Sequence, residues 1–304
     1  MTRIPLTPES TLPRGSIAAL ITPFTRDGRV DKVALKKLID FHVESCTAAV
    51  SVTGTTGESS TLSHAEHRDV IATAVEHAAG RIHVMAGVGA NSTAEAVALA
   101  KFASDNGATS LLSVVPYYNK PSPQGLVDHF LAQADVSAVP LVLYNVPGRT
   151  VTDLSVSAVV KLSRHPNIRG LKDATGDMAR AAEMLEAIPS GFALYSGDDF
   201  TSFPYLTLGG WGVISVLANI APQQVAELCR HVEAGEMPLA RDLFLRLLPM
   251  TRALFTETSP TPVKYAASLM GHCEPDVRLP LCMPEEATKR LIEQHVDGAI
   301  KNVA

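Results

Sequence analysis

The chain has 304 residues, of which 46% are hydrophobic and only 5% aromatic, so a large core has to be built from Ala, Val, Leu and Ile, the composition of an α/β fold. The formal net charge of -5 comes from acidic and basic residues interspersed along the chain, which argues against nucleic acid and anionic membrane as partners. No apolar run is long enough to span a bilayer.

The first 14 residues contain Pro5, Pro8 and Pro13 and no apolar stretch of the kind a secretion signal needs. They read as a disordered or loosely packed tail on a cytoplasmic protein. From there, short apolar or alternating runs recur at residues 16–21, 48–52, 82–86, 109–114, 140–144, 168–172, 192–195 and 212–216. Between them lie helical patterns at 32–44, 65–79, 93–105, 124–134, 155–164 and 178–187. Strand and helix thus alternate with a spacing of about 30 residues, the length of a βαβ unit. Eight such units close into a (β/α)8 TIM barrel of about 250 residues. A doubly wound open sheet is the competing architecture, but no Gly-x-Gly-x-x-Gly follows the first strand. After Val216 the pattern turns wholly helical, at 222–232, 239–255, 262–270 and 284–300. The expected organisation is a tail over 1–14, a barrel over 15–235, and a C-terminal helical region over 236–304 that covers the barrel or forms a subunit interface. Cys46, Cys229, Cys273 and Cys282 show neither close pairing nor metal-type spacing, so buried free thiols are expected.

Lys172 ends the run Ile168-Arg169-Gly170-Leu171, where a lysine is unusual. The other lysines fall on helical patterns (Lys32, Lys36, Lys37, Lys101, Lys161, Lys264, Lys289, Lys301) or, for Lys120, in a loop. A strand-end ammonium withdrawn from water is either paired, with Asp173 the nearest carboxylate in sequence, or it loses its proton and becomes a nucleophile toward carbonyls. In a parallel barrel the C-terminal strand ends and their loops form the active site. The second strand leads into Val52-Thr53-Gly54-Thr55-Thr56-Gly57-Glu58-Ser59, whose glycines allow close backbone approach and whose hydroxyls suit a carboxylate or phosphate; an ordinary glycine-rich turn has the same composition. The fourth and fifth strands end in Pro116-Tyr117-Tyr118-Asn119 and Tyr144-Asn145-Val146-Pro147-Gly148-Arg149-Thr150. Three of the chain's 6 tyrosines sit at these two ends, serving either chemistry or amphipathic packing. No His/Cys/Glu metal cluster and no Ser-His-Asp arrangement accompanies them. Lysine, phenols and a carboxylate cradle make a coherent set: an amine condenses with a 2-oxo acid, the iminium acts as an electron sink, and the enamine attacks an aldehyde while a tyrosine moves protons.

Taken with Ser196-Gly197-Asp198-Asp199, Gly212-Val213-Ile214-Ser215 and Pro260-Thr261-Pro262-Val263-Lys264, these motifs resemble the dihydrodipicolinate synthase family of the pyruvate-dependent lyase superfamily, which includes N-acetylneuraminate lyase. The resemblance runs from about Gly15 to the C-terminal helices. It implies a Schiff base between Lys172 and pyruvate, Tyr144 as proton donor and acceptor, and a hydroxyl relay completed by Thr55 and by Tyr118 from a neighbouring subunit. It further implies that Thr56 and the backbone around Gly197 and Ile214 hold the pyruvate carboxylate and neighbouring groups. Arg149 would meet the carboxylate of L-aspartate 4-semialdehyde, and the product would be 4-hydroxy-tetrahydrodipicolinate, on the way to diaminopimelate and lysine. Such enzymes use no metal or organic cofactor, and most are tetramers built from tight dimers. Ser59, His64, His67, Asn91, Glu95 and Tyr117 match positions that line a lysine-binding cleft between the two subunits of the tight dimer in lysine-inhibited members. Two departures stand out: the tail before Gly15, and Cys46 where the family often has glycine at the end of the first barrel helix. The residues around Lys172 and Arg149 favour the synthase over the sialic acid lyase, which usually has a serine-threonine pair in the cradle and lacks this arginine. The alternatives are a relative with another aldehyde partner and a catalytically silent ligand-binding oligomer; a binding protein would have no need of the nucleophile.

Overall fold

A computed structural model describes residues 12–301. Eight parallel strands pair in sequence order and the last pairs with the first, closing the barrel. They are β1 (Gly15–Ala19), β2 (Ala49–Val52), β3 (His83–Gly87), β4 (Ser110–Val114), β5 (Leu141–Asn145), β6 (Ile168–Asp173), β7 (Ala193–Ser196) and β8 (Gly212–Ser215). The helices around them are α1 (Lys32–Glu44), α2 (His64–Ala78), α3 (Thr93–Asp105), α4 (Pro123–Asp135), α5 (Pro147–Thr150), α6 (Val156–Leu162), α7 (Met178–Ala187), α8 (Ser202–Thr207) and α9 (Pro222–Glu233). Then come α10 (Met237–Leu254), α11 (Thr261–Leu269) and α12 (Glu286–Lys301), with no further strand among the described residues. The short α5 and α8 carry no helical periodicity, and each has a proline in its first turns, which is why the sequence pattern passes over them.

Most barrel helices begin where a short polar side chain takes up first-turn N–H groups. Asp31 accepts from Val33 and Ala34, Ser92 from Glu95, Ser122 from Gly125 and Asp177 from Arg180, while Ser63 and Glu66 form a reciprocal capping box. The strands are buried on both faces, and their two-residue alternation divides the core into two clusters. Ala18, Leu111, Leu141, Leu143 and Leu171 face the helices. Ile17, Ala19, Met85, Leu112, Val142, Tyr144, Tyr195 and Ile214 fill the barrel. Lys172, next to outward Leu171 and in register with inward Tyr144, is therefore turned into the barrel mouth.

Residues 1–11 of the expected tail lie outside the described residues, but its last part is built into the barrel. Leu12 is 3% exposed and belongs to the inner cluster. The Tyr195 hydroxyl donates to Pro13 O at 2.6 Å and the Trp211 indole N–H to Leu12 O at 3.3 Å, closing the end of the barrel opposite the strand C-termini. The expectation of four buried thiols needs correction: all are free, but Cys46 and Cys282 are exposed, since both lie outside the packed faces of the helices. No helix among the described residues is long and apolar enough to cross a membrane.

Candidate active site

Adjacent strands bring Tyr144 and Lys172 side by side. Both are 6% exposed, and the Lys172 Nζ stands 4.3 Å from the centre of the Tyr144 ring. Lys172 also pairs in register with Tyr195 on β7. Asp173, the carboxylate that could have neutralised the lysine, points to the other face, with Oδ2 3.3 Å from Arg180 Nε and Oδ1 accepting from Thr175 N. Among the described residues no carboxylate lies within ion-pairing distance of Lys172. Arg180 also reaches Asp153 at 3.4 Å and the Leu154 carbonyl, and Asn145 bonds both Asp153 and Leu154, so the outward residues of β5 and β6 are tied together behind the inward pair. Burial raises the Asp173 carboxyl above its ordinary value, with Arg180 opposing that rise.

Gly197 follows β7 in the space that Lys172 needs: a Cβ there would lie 2.9 Å from Lys172 Cε and 2.8 Å from Ala174 Cβ. Its N–H already donates to Asp173 O at 2.7 Å, which leaves its carbonyl for a ligand. The Ile214 side chain is buried in the inner cluster, so only its backbone can contribute. The exit of β8 is held by Asp199, whose buried carboxylate accepts from Val216 N at 2.9 Å and Leu217 N at 3.1 Å.

Thr55 and Thr56 lie in the turn after β2, between Thr53 and Glu58, both of which have positive φ (52° and 53°). Thr53 Oγ1 donates to Gly87 O, and the Gly57 carbonyl accepts from Thr22 Oγ1 at 2.7 Å, so the turn is anchored to its neighbours. Among the described residues, the hydroxyls and backbone N–H groups of Thr55 and Thr56 have no partner within the chain, as a carboxylate cradle requires. Arg149 sits on α5 with its guanidinium donating to Ser259 O at 2.9 Å. Tyr118 is 87% exposed at φ 77°, held outward on the β4 loop.

A cavity of about 300 Å³ opens beside this mouth. Thr55 and Arg149 line it together with Ser59, His67, Glu95 and Tyr117, four of the six residues expected in a second site; Lys172, Tyr144 and Thr56 do not. His64 joins through Nδ1, 3.4 Å from Glu95 Oε1, and Asn91 through Asn119, whose amide donates to the Asn91 carbonyl. Burial lowers the His67 pKa, and its Nε2, 2.7 Å from the Gly87 carbonyl, is therefore the protonated nitrogen of a neutral ring. Burial, and then the Glu95 carboxylate, raise the Tyr117 phenol above its ordinary value. Ser259, Pro260, Pro280 and Leu281 add part of the wall from the C-terminal region, a contribution not expected from the sequence although the 260–264 motif stood out there. Among the described residues no group of three or more His, Cys, Asp or Glu side chains is placed to hold a metal ion.

A profile of the dihydrodipicolinate synthetase family matches residues 12–299. The 4-hydroxy-tetrahydrodipicolinate synthase of Azoarcus sp. (strain BH72) is 53% identical over 267 residues, 88% of this chain and 91% of its own length. Among solved structures, the chloride-inhibited dihydrodipicolinate synthase of Acinetobacter baumannii complexed with pyruvate aligns with a TM-score of 0.92 at 44% identity, covering 95% of this chain and 99% of that one. The dihydrodipicolinate synthase of Cyanidioschyzon merolae with lysine bound aligns with a TM-score of 0.91 at 36% identity, covering 94% and 98%. Similarity that extends over nearly the whole of both chains, at this identity and with this barrel, decides the lineage: the chain belongs to the dihydrodipicolinate synthetase family.

Proposed function

We infer that this chain catalyses the 4-hydroxy-tetrahydrodipicolinate synthase reaction, condensing pyruvate with L-aspartate 4-semialdehyde. The observation that carries the reading is the pairing of Lys172 and Tyr144 at neighbouring strand ends, with Asp173 turned away toward Arg180. In this mechanism the Lys172 amine adds to the pyruvate carbonyl and one water leaves, giving an iminium. Loss of a methyl proton yields the enamine, whose carbon attacks the aldehyde of the second substrate. The amine of that substrate then displaces Lys172 from the imine carbon and closes the ring, so the sum is two substrates in, one cyclic product and one water out. Tyr144 moves the protons, with Thr55 and Tyr118 continuing the relay. Thr56 and its free N–H hold the pyruvate carboxylate, with the backbone at Gly197 and Ile214 meeting neighbouring groups. Arg149, its fork fixed by Ser259, grips the carboxylate of the semialdehyde.

The exposure of Tyr118 supports its insertion into a neighbouring subunit, and a tetramer of tight dimers is the assembly this reading assigns. Cytoplasmic location belongs to the same reading. The lysine-bound relative supports L-lysine as ligand of the second site, where Glu95 accepts from an ammonium while Asn91 and Tyr117 donate to a carboxylate and Ser59, His64 and His67 complete the wall. Borohydride reduction in the presence of pyruvate, followed by peptide mass mapping, tests the central step. A stable adduct on Lys172 is expected; labelling of Lys161 or Lys264 instead overturns the assignment.

A further inference from the structure

Lys264 looks like one more helical lysine in the sequence, yet on α11 it is fully buried, and so is its partner Glu58. The Lys264 Nζ lies 2.7 Å from Glu58 Oε1 and 4.0 Å from the centre of the Phe24 ring. The other carboxylate oxygen of Glu58 accepts from Arg278 N at 3.0 Å. The Arg278 guanidinium also packs over the Phe24 ring, 4.3 Å from its centre, donates to Thr61 O and Gly28 O, and pairs with Glu66. Both oxygens of Glu58 are thus held by the C-terminal region, and Glu58 itself stands in the left-handed region two residues after Thr56. Burial lowers the Lys264 pKa and the Glu58 carboxylate opposes that fall, as expected for a pair maintained against desolvation.

A buried pair of this kind adds little net stability compared with apolar packing, so its value lies in holding geometry. We propose that Glu58 and Lys264 are positioning residues that set the Thr55–Thr56 turn, making the C-terminal region part of the catalytic apparatus rather than a cover. The left-handed backbone at Glu58 is secured by side-chain bonds made 206 residues and 220 residues away in the chain. Release of that carboxylate lets the turn relax, and the amides and hydroxyls of Thr55 and Thr56 lose their aim. Arg149, by contrast, is fixed through the separate contact with Ser259 O.

The inference rests on the assignment of Thr56 to the pyruvate carboxylate, and its test separates the two. Lys264→Met leaves the Glu58 carboxylate without its cation, whereas Glu58→Gln/Lys264→Met removes both charges and is expected to recover most of the thermal stability the single variant loses. In the double variant KM for pyruvate should rise about ten- to a hundredfold, the effect of a small misplacement at a binding group, while KM for the semialdehyde stays within about twofold. Borohydride trapping of the wild type on Lys172 with pyruvate checks the underlying reading independently. Wild type that is trapped, alongside a folded double variant with unchanged pyruvate KM, overturns the positioning role and leaves that reading intact. Should the double variant not fold, Glu58→Asp, which keeps both charges but shortens the reach, carries the same split: a raised pyruvate KM supports the proposal, and a change in stability alone overturns it.

Discussion

Two buried lysines stand in contrasting surroundings. Lys264 has its carboxylate at 2.7 Å, while Lys172 faces a phenol ring and, among the described residues, no carboxylate within ion-pairing distance. With Tyr144 as the proton carrier, Tyr144→Phe is expected to reduce turnover by about 10²–10⁴-fold while pyruvate is still trapped on Lys172. Steady-state rates beside adduct yield check this, and near-normal turnover would move the relay to another group. Residue-level strain shows at Cys46. It lies at φ 58° after α1, where Thr47 N bonds back to His42 O in a left-handed helix ending. The same ending recurs at Gly107 after α3 and Gly235 after α9, both glycines at positive φ. Cys46→Gly removes the crowding of a side chain in that conformation and should stabilise the protein by about 1 kcal/mol. Urea denaturation decides the point, and an unchanged or lowered midpoint would show that the cysteine is accommodated without strain.

Individual elements are joined to the C-terminal region by charge. Glu66 closes the capping box at the start of α2 and also takes the Arg278 guanidinium, at 2.9 Å from Nη1. The bond from Arg278 is the main cause that lowers the Glu66 carboxyl from its usual 4.5 to about 2. A depressed carboxyl contributes stability that is complete above about 4.5 and disappears as the pH falls through about 2. Because the pair is partly solvated, about 1 kcal/mol is the scale to expect at neutral pH. Glu66→Gln should therefore be less stable than wild type at pH 7, and the two should converge as the pH drops across that window. Denaturation curves over a pH series measure this; a difference independent of pH would assign the effect to packing rather than to the charge of the carboxylate.

For the whole molecule the two proposed sites are neighbours. Thr55 and Arg149 share a cavity with Ser59, His67, Glu95 and Tyr117, and Tyr117 is bonded in sequence to Tyr118 of the relay. A ligand that moves Tyr117 shifts Tyr118 with it, which couples the sites through one loop. L-Lysine is accordingly expected to inhibit partly or fully without competing with pyruvate, and Glu95→Ala should lose that inhibition with activity retained. Calorimetry on the pyruvate-loaded enzyme provides the check: absence of lysine binding would remove the regulatory role.

Local pattern alone determined the order of the strands and of the longer helices and the barrel they close, because period and element length separate strand from helix without knowledge of partners, whereas the short α5 and α8 and the inward aim of Lys172 and Tyr144 emerged only in the folded chain. The motifs at the strand ends were legible as well: in a parallel barrel every strand end arrives at one rim. What lay opposite each face was decided only in three dimensions. The direction of Asp173 depends on Arg180, the burial of Lys264 on Glu58, and the seating of Leu12 on the inner cluster around Tyr195. Those contacts join segments as much as about 200 residues apart, and the free energy of withdrawing a charge or a leucine from water is settled by the packed neighbour rather than by the residues beside it in sequence.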